Sequence, residues 1–141
     1  AGMEHVQICT RTEKRAHLLI DSIAVGDVPV VTTAWDHRHT AATSVDLVVN
    51  TTPVGMWPHL SLSPLSDTAF RSSQIVYDLI YNPRSTQLLQ DAGEAGSLCL
   101  GGLPMLIGQA DAAFQHWTGR AMPIDVVTQA ADKALSPDRP S

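Results

Sequence analysis

The sequence predicts a Rossmann-like α/β fold, a mainly parallel sheet with helices on both faces, and three observations carry that prediction. Short runs rich in Val, Ile and Leu alternate with stretches of helical periodicity along the chain. The spacing between runs leaves room for the long crossovers that parallel strands require. The run Leu47-Val48-Val49 is unbroken by a polar residue, which suits a strand covered on both faces.

The first element is a strand over Glu4 to Cys9, followed by a helix from Glu13 to Ala24. Ala16, Leu19, Ile20 and Ile23 recur there at helical spacing, and Gly26 ends the run. Val28 to Thr32 forms a second strand, Thr40 to Ser44 a short connector, and Leu47 to Val49 the third strand. After a Pro- and Ser-rich loop from Met56 to Ser66, a fourth strand covers Ile75 to Ile80 and stops at Asn82-Pro83. Ser85 is placed to cap a helix reaching Ala95, with Gly96 as its stop. Leu98 to Leu100 is a short fifth strand. Gly101-Gly102 then breaks the chain before a long helix marked by Leu103, Leu106, Ile107, Ala110, Phe114 and Trp117, which Gly119 ends. Pro123 starts a last helix with Ile124, Val127 and Ala131 at helical spacing. Residues 1–135 read as one domain, and 136–141 as a polar, Pro-rich tail.

Dinucleotide folds seat a pyrophosphate on a Gly-x-Gly-x-x-Gly loop after the first strand, and no strand here is followed by one. The expectation is therefore a sheet lacking its first βα unit, with C-terminal helices added. Loss of that strand exposes an apolar edge, so self-association into a homo-oligomer is expected as well.

Composition narrows the partners. A chain of 141 residues with 44% hydrophobic content buries one sizeable core. A net charge of -5 with no basic stripe argues against nucleic acid and in favour of small molecules. No apolar run approaches membrane-spanning length, and the first residues lack the features of a signal peptide, so a cytoplasmic location is expected. Cys9 and Cys99 sit in apolar runs and read as buried free thiols.

Four segments carry candidate chemistry. Ligands of open parallel sheets bind beyond the carboxyl ends of the strands, where Asn50-Thr51-Thr52-Pro53 supplies donors, acceptors and a stiff φ. Thr10-Arg11-Thr12-Glu13-Lys14-Arg15-Ala16 follows the first strand, where a dinucleotide enzyme meets the adenosine ribose. NAD enzymes usually hold an acid there. Here Arg11 and Arg15, four apart beside the Thr10 hydroxyl, fit a phosphate monoester and hence NADP. By spacing alone, a solvated first helical turn with Glu13 paired to a neighbouring cation fits equally well. Tyr81, at the end of the fourth strand, either aims its hydroxyl into a cleft or is structural. Gly102 precedes a helix and admits a flat ring close to the backbone, and the Gln109 amide both donates and accepts, although a turn glycine and a surface amide are the simpler readings.

Taken in order, these segments resemble motifs of the shikimate dehydrogenases, and the resemblance runs from about Glu4 to about Ala134. Thr10 to Ala16 is similar to Asn-Arg-Thr-x-x-Arg/Lys-Ala, with Thr10 in place of Asn. Asn50 to Met56 is similar to Asn-Thr-Thr-Pro-x-Gly-Met, Tyr77 to Pro83 to Tyr-Asp-x-x-Tyr-x-Pro, and Gly102 to Gln109 to Gly-Leu-x-Met-Leu-x-x-Gln. The resemblance implies NADP as cofactor, held by Thr10, Arg11, Thr12 and Arg15, with Leu79 and Gly102 by the nicotinamide. It implies substrate contacts from Tyr81 and Gln109, while Thr51 and Thr52 either border the nicotinamide ribose or satisfy turn backbone. Asp78 reads as structural. The implied reaction is reduction of 3-dehydroshikimate to shikimate, on the chorismate route to aromatic amino acids.

In that family the catalytic Lys and Asp belong to an N-terminal substrate domain, so no catalytic residue is assigned here and little turnover by the chain alone is expected. Two alternatives stand: an NAD-using quinate/shikimate dehydrogenase, and a non-catalytic nucleotide-binding or interaction domain that kept the fold. His37 and His39, two apart with no third ligand at useful spacing, read as a solvated loop rather than a metal site.

Overall fold

The computed structural model describes residues 2–22 and 27–135, so Ile23, Ala24 and Gly26 of the expected first helix and the tail 136–141 lie outside the described residues. Two units divide the chain, residues 1–45 and 46–141, and each holds its own parallel sheet.

In the first unit, β1 (Val6–Thr10) and β2 (Val30–Ala34) run parallel, with Val6 opposite Val30 and Thr10 opposite Ala34, so the strands end level. The second strand begins two residues later than the sequence suggests. Pro29 has no N–H to give a ladder; only its carbonyl takes part, accepting from Val6 N at 2.9 Å. α1 (Glu13–Ser22) packs on both strands, with Ala16 buried and Ile20 half-buried. Leu19, expected on the covered face, is 47% exposed, because a two-stranded sheet offers a helix only a narrow stripe. The expected connector and the His37-Arg38-His39 loop are helical instead: a 3-10 turn, Trp35–His37, leads into α2 (Arg38–Thr43). A six-residue helix with one buried side chain, Ala42, leaves no apolar period to read.

In the second unit, β3 (Leu47–Asn50), β4 (Ile75–Asp78) and β5 (Leu98–Leu100) form a parallel sheet in that order. α3 (Gln87–Glu94) crosses over between β4 and β5 and covers both, burying Leu88, Leu89 and Ala92 against the fully buried Val76. Burial of Leu88 alone stabilises the unit by about 2 kcal/mol. The cap of α3 is Thr86 rather than Ser85: its side chain accepts from Leu89 N. α4 (Leu103–Thr118) and α5 (Ile124–Ala134) pack on each other. Leu103 and Ile107 are the buried residues of α4, whereas Leu106, Ala110 and Trp117, expected in its apolar stripe, are exposed. Gly119 ends α4 at φ 68°, a left-handed cap that glycine adopts without strain.

The Leu47-Val48-Val49 run is covered on one face, not both. Strand register lines up Leu47, Ile75 and Leu98 in one row and Val49, Tyr77 and Leu100 in another on the same face. Leu47, Val49, Ile75, Leu98 and Leu100 are all exposed. The opposite face holds Val48, Val76 and Cys99 towards α3, and there Cys99 Sγ donates to Leu89 O at 3.4 Å. Burial pushes the Cys99 thiol pKa up.

Candidate functional site

The carboxyl end of the second unit's sheet is built around a buried acid. Asn50 and Asp78 are the last residues of β3 and β4 and stand opposite each other in register. Asn50 Nδ2 donates to Asp78 Oδ1 at 3.0 Å and to Val54 O at 3.5 Å. The same Asp78 oxygen accepts from Ile80 N at 3.1 Å, and its other oxygen accepts from Thr86 Oγ1 at 2.6 Å. Asp78 and Thr86 are fully buried, and Asn50 is 5% exposed. One carboxyl group thus joins the turn after β3, the chain leaving β4 and the cap of α3. In so dry a setting each donor needs its acceptor.

Asn50 Oδ1 shapes the turn beyond it by accepting from Thr52 N at 3.0 Å and Thr52 Oγ1 at 2.8 Å. Thr52 Oγ1 in turn accepts from Val54 N at 3.2 Å. The Thr52 hydroxyl is therefore engaged in the turn as both donor and acceptor, while Thr51 is exposed at its tip. Gly55 continues the turn at φ 97°.

Gly102 closes the arrangement. Its N–H donates to Ile80 O at 3.1 Å, and a Cβ built on it would overlap the Leu79 carbonyl. The glycine is demanded by this approach of two backbones, since its φ of -77° and ψ of -15° suit any residue. Thr51, Thr52, Leu79, Tyr81 and Gly102 therefore gather at the carboxyl ends of β3 and β4. Leu79 is half-buried, and Tyr81 is 44% exposed. Gln109 is exposed on α4, about two turns beyond Gly102. Arg84, in the segment after Tyr81, forms an ion pair with Asp132 of α5.

The first unit carries a second site. A pocket of about 320 Å³ opens beyond the level ends of β1 and β2, lined by Thr10, Arg11, Glu13, Thr32, Thr33, Ala34, Trp35 and Asp36. Thr10 Oγ1 accepts from Thr12 N at 3.2 Å, the same side-chain-to-backbone step that Asn50 makes with Thr52, and this turns the chain into α1. Arg11, Thr12 and Arg15 are exposed. The pocket lining includes Arg11 but not Thr12 or Arg15, and adds the carboxyl groups of Glu13 and Asp36. Behind it, burial raises the Cys9 thiol pKa, an effect the Thr33 hydrogen bond and the Arg38 charge partly offset. Among the described residues, no group of three or more His, Cys, Asp or Glu side chains is placed to hold a metal.

Residue type alone gives no signal for Thr86, Trp35 or Asp36, and it marks Glu13 only as an ion-pair partner and Asn50 only as part of a polar turn. A usable signal existed for one pair: an acid closing an apolar strand, Asp78, needs a buried partner, and Asn50 closes the neighbouring run.

The chain is similar to known proteins in both sequence and fold. Residues 102–131 match the model of the shikimate 5'-dehydrogenase C-terminal domain. The chain is 38% identical over 138 residues to the shikimate dehydrogenase (NADP(+)) of Moorella thermoacetica, covering 96% of this chain and 47% of that protein. Among solved structures, quinate dehydrogenase from Corynebacterium glutamicum in complex with NAD superposes with a TM-score of 0.83 at 30% identity, over 95% of this chain and 47% of that one. Shikimate 5-dehydrogenase from Listeria monocytogenes, in complex with shikimate and NAD, gives 0.78 at 28% identity, over 92% and 47%. The chain spans about half the length of the curated relatives it matches. Sequence, fold and motif placement together put this chain in the shikimate/quinate dehydrogenase family.

Proposed function

We propose that this chain is the nucleotide-binding half of an NADP-dependent shikimate dehydrogenase, reducing 3-dehydroshikimate to shikimate. The observation that carries the reading is the convergence of three sequence-distant motifs, ending in Thr51-Thr52, Leu79-Tyr81 and Gly102, at one strand-end row held by Asp78. When bound, NADPH supplies the hydride. Leu79 and Gly102 form a wall beside the nicotinamide, Thr51 faces its ribose, and Tyr81 and Gln109 hydrogen-bond the substrate's hydroxyls. In the first unit, Thr10 and Arg11, supported by Thr12 and Arg15, hold the adenosine phosphate. By the family resemblance, the Lys and Asp that would manage the alcohol's proton belong to a substrate domain, so the chain alone turns over little and works with that domain. The exposed Leu47, Ile75 and Leu98 row gives it a surface for that domain or for self-association.

One observation favours a second reading. Glu13 and Asp36 share the Arg11 pocket, and a carboxylate at this place suits the free ribose hydroxyls of NAD.

The test of the reaction is shikimate-dependent reduction of NADP+ by the full-length gene product. Gln109→Ala and Tyr81→Phe are expected to raise KM for shikimate roughly tenfold each, the loss of one hydrogen bond, with little change in KM for NADP+. No shikimate-dependent reduction by the wild-type product contradicts the assignment.

A further inference from the structure

We propose that Trp35, backed by Arg38, is the wall against which the adenine ring of the dinucleotide lies, so that the first unit reads the base as well as the phosphate. This inference rests on the dinucleotide reading above and adds a residue and a contact to it.

Strand register brings Arg11 and Trp35 together. Thr10 and Ala34 are paired, so Arg11 and Trp35 are the next residues beyond two neighbouring strands, and both line the same pocket. A nucleoside phosphate presents three surfaces, and the lining answers each of them. Arg11 suits the phosphate, the hydroxyls of Thr10, Thr32 and Thr33 suit the sugar, and Trp35 is the one aromatic lining residue for a purine face. At about 320 Å³ the pocket lies at the small end of ligand sites, which fits one nucleotide rather than a whole dinucleotide.

Trp35 is also held in advance. Arg38 Nη1 donates to Trp35 O at 2.9 Å, and the guanidinium carbon lies 4.7 Å from the centre of the indole ring. A side chain fixed by its own helix start loses little freedom when a ligand stacks on it. Trp35 is only half-buried, so filling a core does not account for its size.

The probe is 2′,5′-ADP, which carries the base and the 2′-phosphate without the nicotinamide half, compared with ribose 2-phosphate, which lacks the base. Both are titrated into the 141-residue chain by calorimetry. Trp35→Leu is expected to weaken 2′,5′-ADP roughly 5- to 100-fold, the range of one base–aromatic stack, and to leave ribose 2-phosphate unchanged. Trp35→Phe restores binding to within about threefold, because a smaller ring still stacks. In a Trp57→Phe/Trp117→Phe background, which leaves Trp35 as the one indole of the three in the sequence, 2′,5′-ADP changes its fluorescence and ribose 2-phosphate does not. This background removes two exposed rings and so reads Trp35 without altering it. Unchanged 2′,5′-ADP affinity in Trp35→Leu, or an unresponsive Trp35 emission on binding, overturns this inference alone. Failure of the wild-type chain to bind 2′,5′-ADP overturns both it and the dinucleotide reading.

Discussion

Gly102→Ala is expected to destabilise the chain by about 3 kcal/mol or more, read as a lowered midpoint in chemical or thermal unfolding. The added methyl has nowhere to go: it overlaps the carbonyl of Leu79, a backbone atom fixed by β4 and by the Gly102 N–H···O bond to Ile80. Relief requires that the start of α4 moves away from the end of β4. That movement displaces Gly102 from Leu79 and carries Gln109 with it, so binding at this strand end falls together with stability. Two neighbouring glycines make the comparison specific. A Cβ at Gly101 would stand 3.4 Å from Arg84 O, a tight contact that a small shift relieves. At Gly108, inside α4, nothing lies within 4 Å of the Cβ position, and Gly108→Ala is expected to stabilise by up to about 1 kcal/mol through helix propensity.

Asp78→Ala is the second large effect, a loss of about 3 to 5 kcal/mol. Removing the carboxyl group leaves Ile80 N and Thr86 Oγ1 without this acceptor and Asn50 Nδ2 with only the longer bond to Val54 O, in a buried place. Asn50 and Thr86 then reorient, which frees the Thr52 turn and weakens the cap of α3. Asp78→Asn keeps the shape and one acceptor oxygen, so its cost is smaller, about 1 to 2 kcal/mol. Unfolding curves for the two variants check the order. Equal stability of Asp78→Ala and wild type would mean that the strand-end row is held by packing rather than by this acid.

The parts of the fold visible in the sequence are those whose cause is local. β3, β4 and β5 appear as apolar runs, and Gly96, Gly101-Gly102 and Gly119 mark real ends, because backbone conformation and close approach act within a few residues. The parts that are not visible there depend on distant partners. Ser85 and Thr86 are equivalent caps by residue type, and Thr86 is chosen because Asp78, eight residues earlier, accepts a hydrogen bond from its hydroxyl. Leu106 and Trp117 share the apolar period of α4 with Leu103 and Ile107, yet periodicity names a stripe without saying how much of it the rest of the chain covers. The same limit applies to Leu47 and Val49. At the candidate sites, the motif residues were legible, whereas Trp35 and Asp36 were not, because only the pairing of β1 with β2 brings them beside Arg11.

Calorimetric titration of the chain with NADP+ and NAD+, as wild type and as Arg11→Met, shows whether the first unit selects a phosphorylated ribose. NADP+ is expected to bind at least about tenfold more tightly than NAD+, and Arg11→Met to remove most of the difference, as for a charge-assisted bond to the 2′-phosphate. NAD+ binding as tightly as NADP+, with no effect of Arg11→Met on the ratio, would contradict it and give the pocket's role to Glu13 and Asp36.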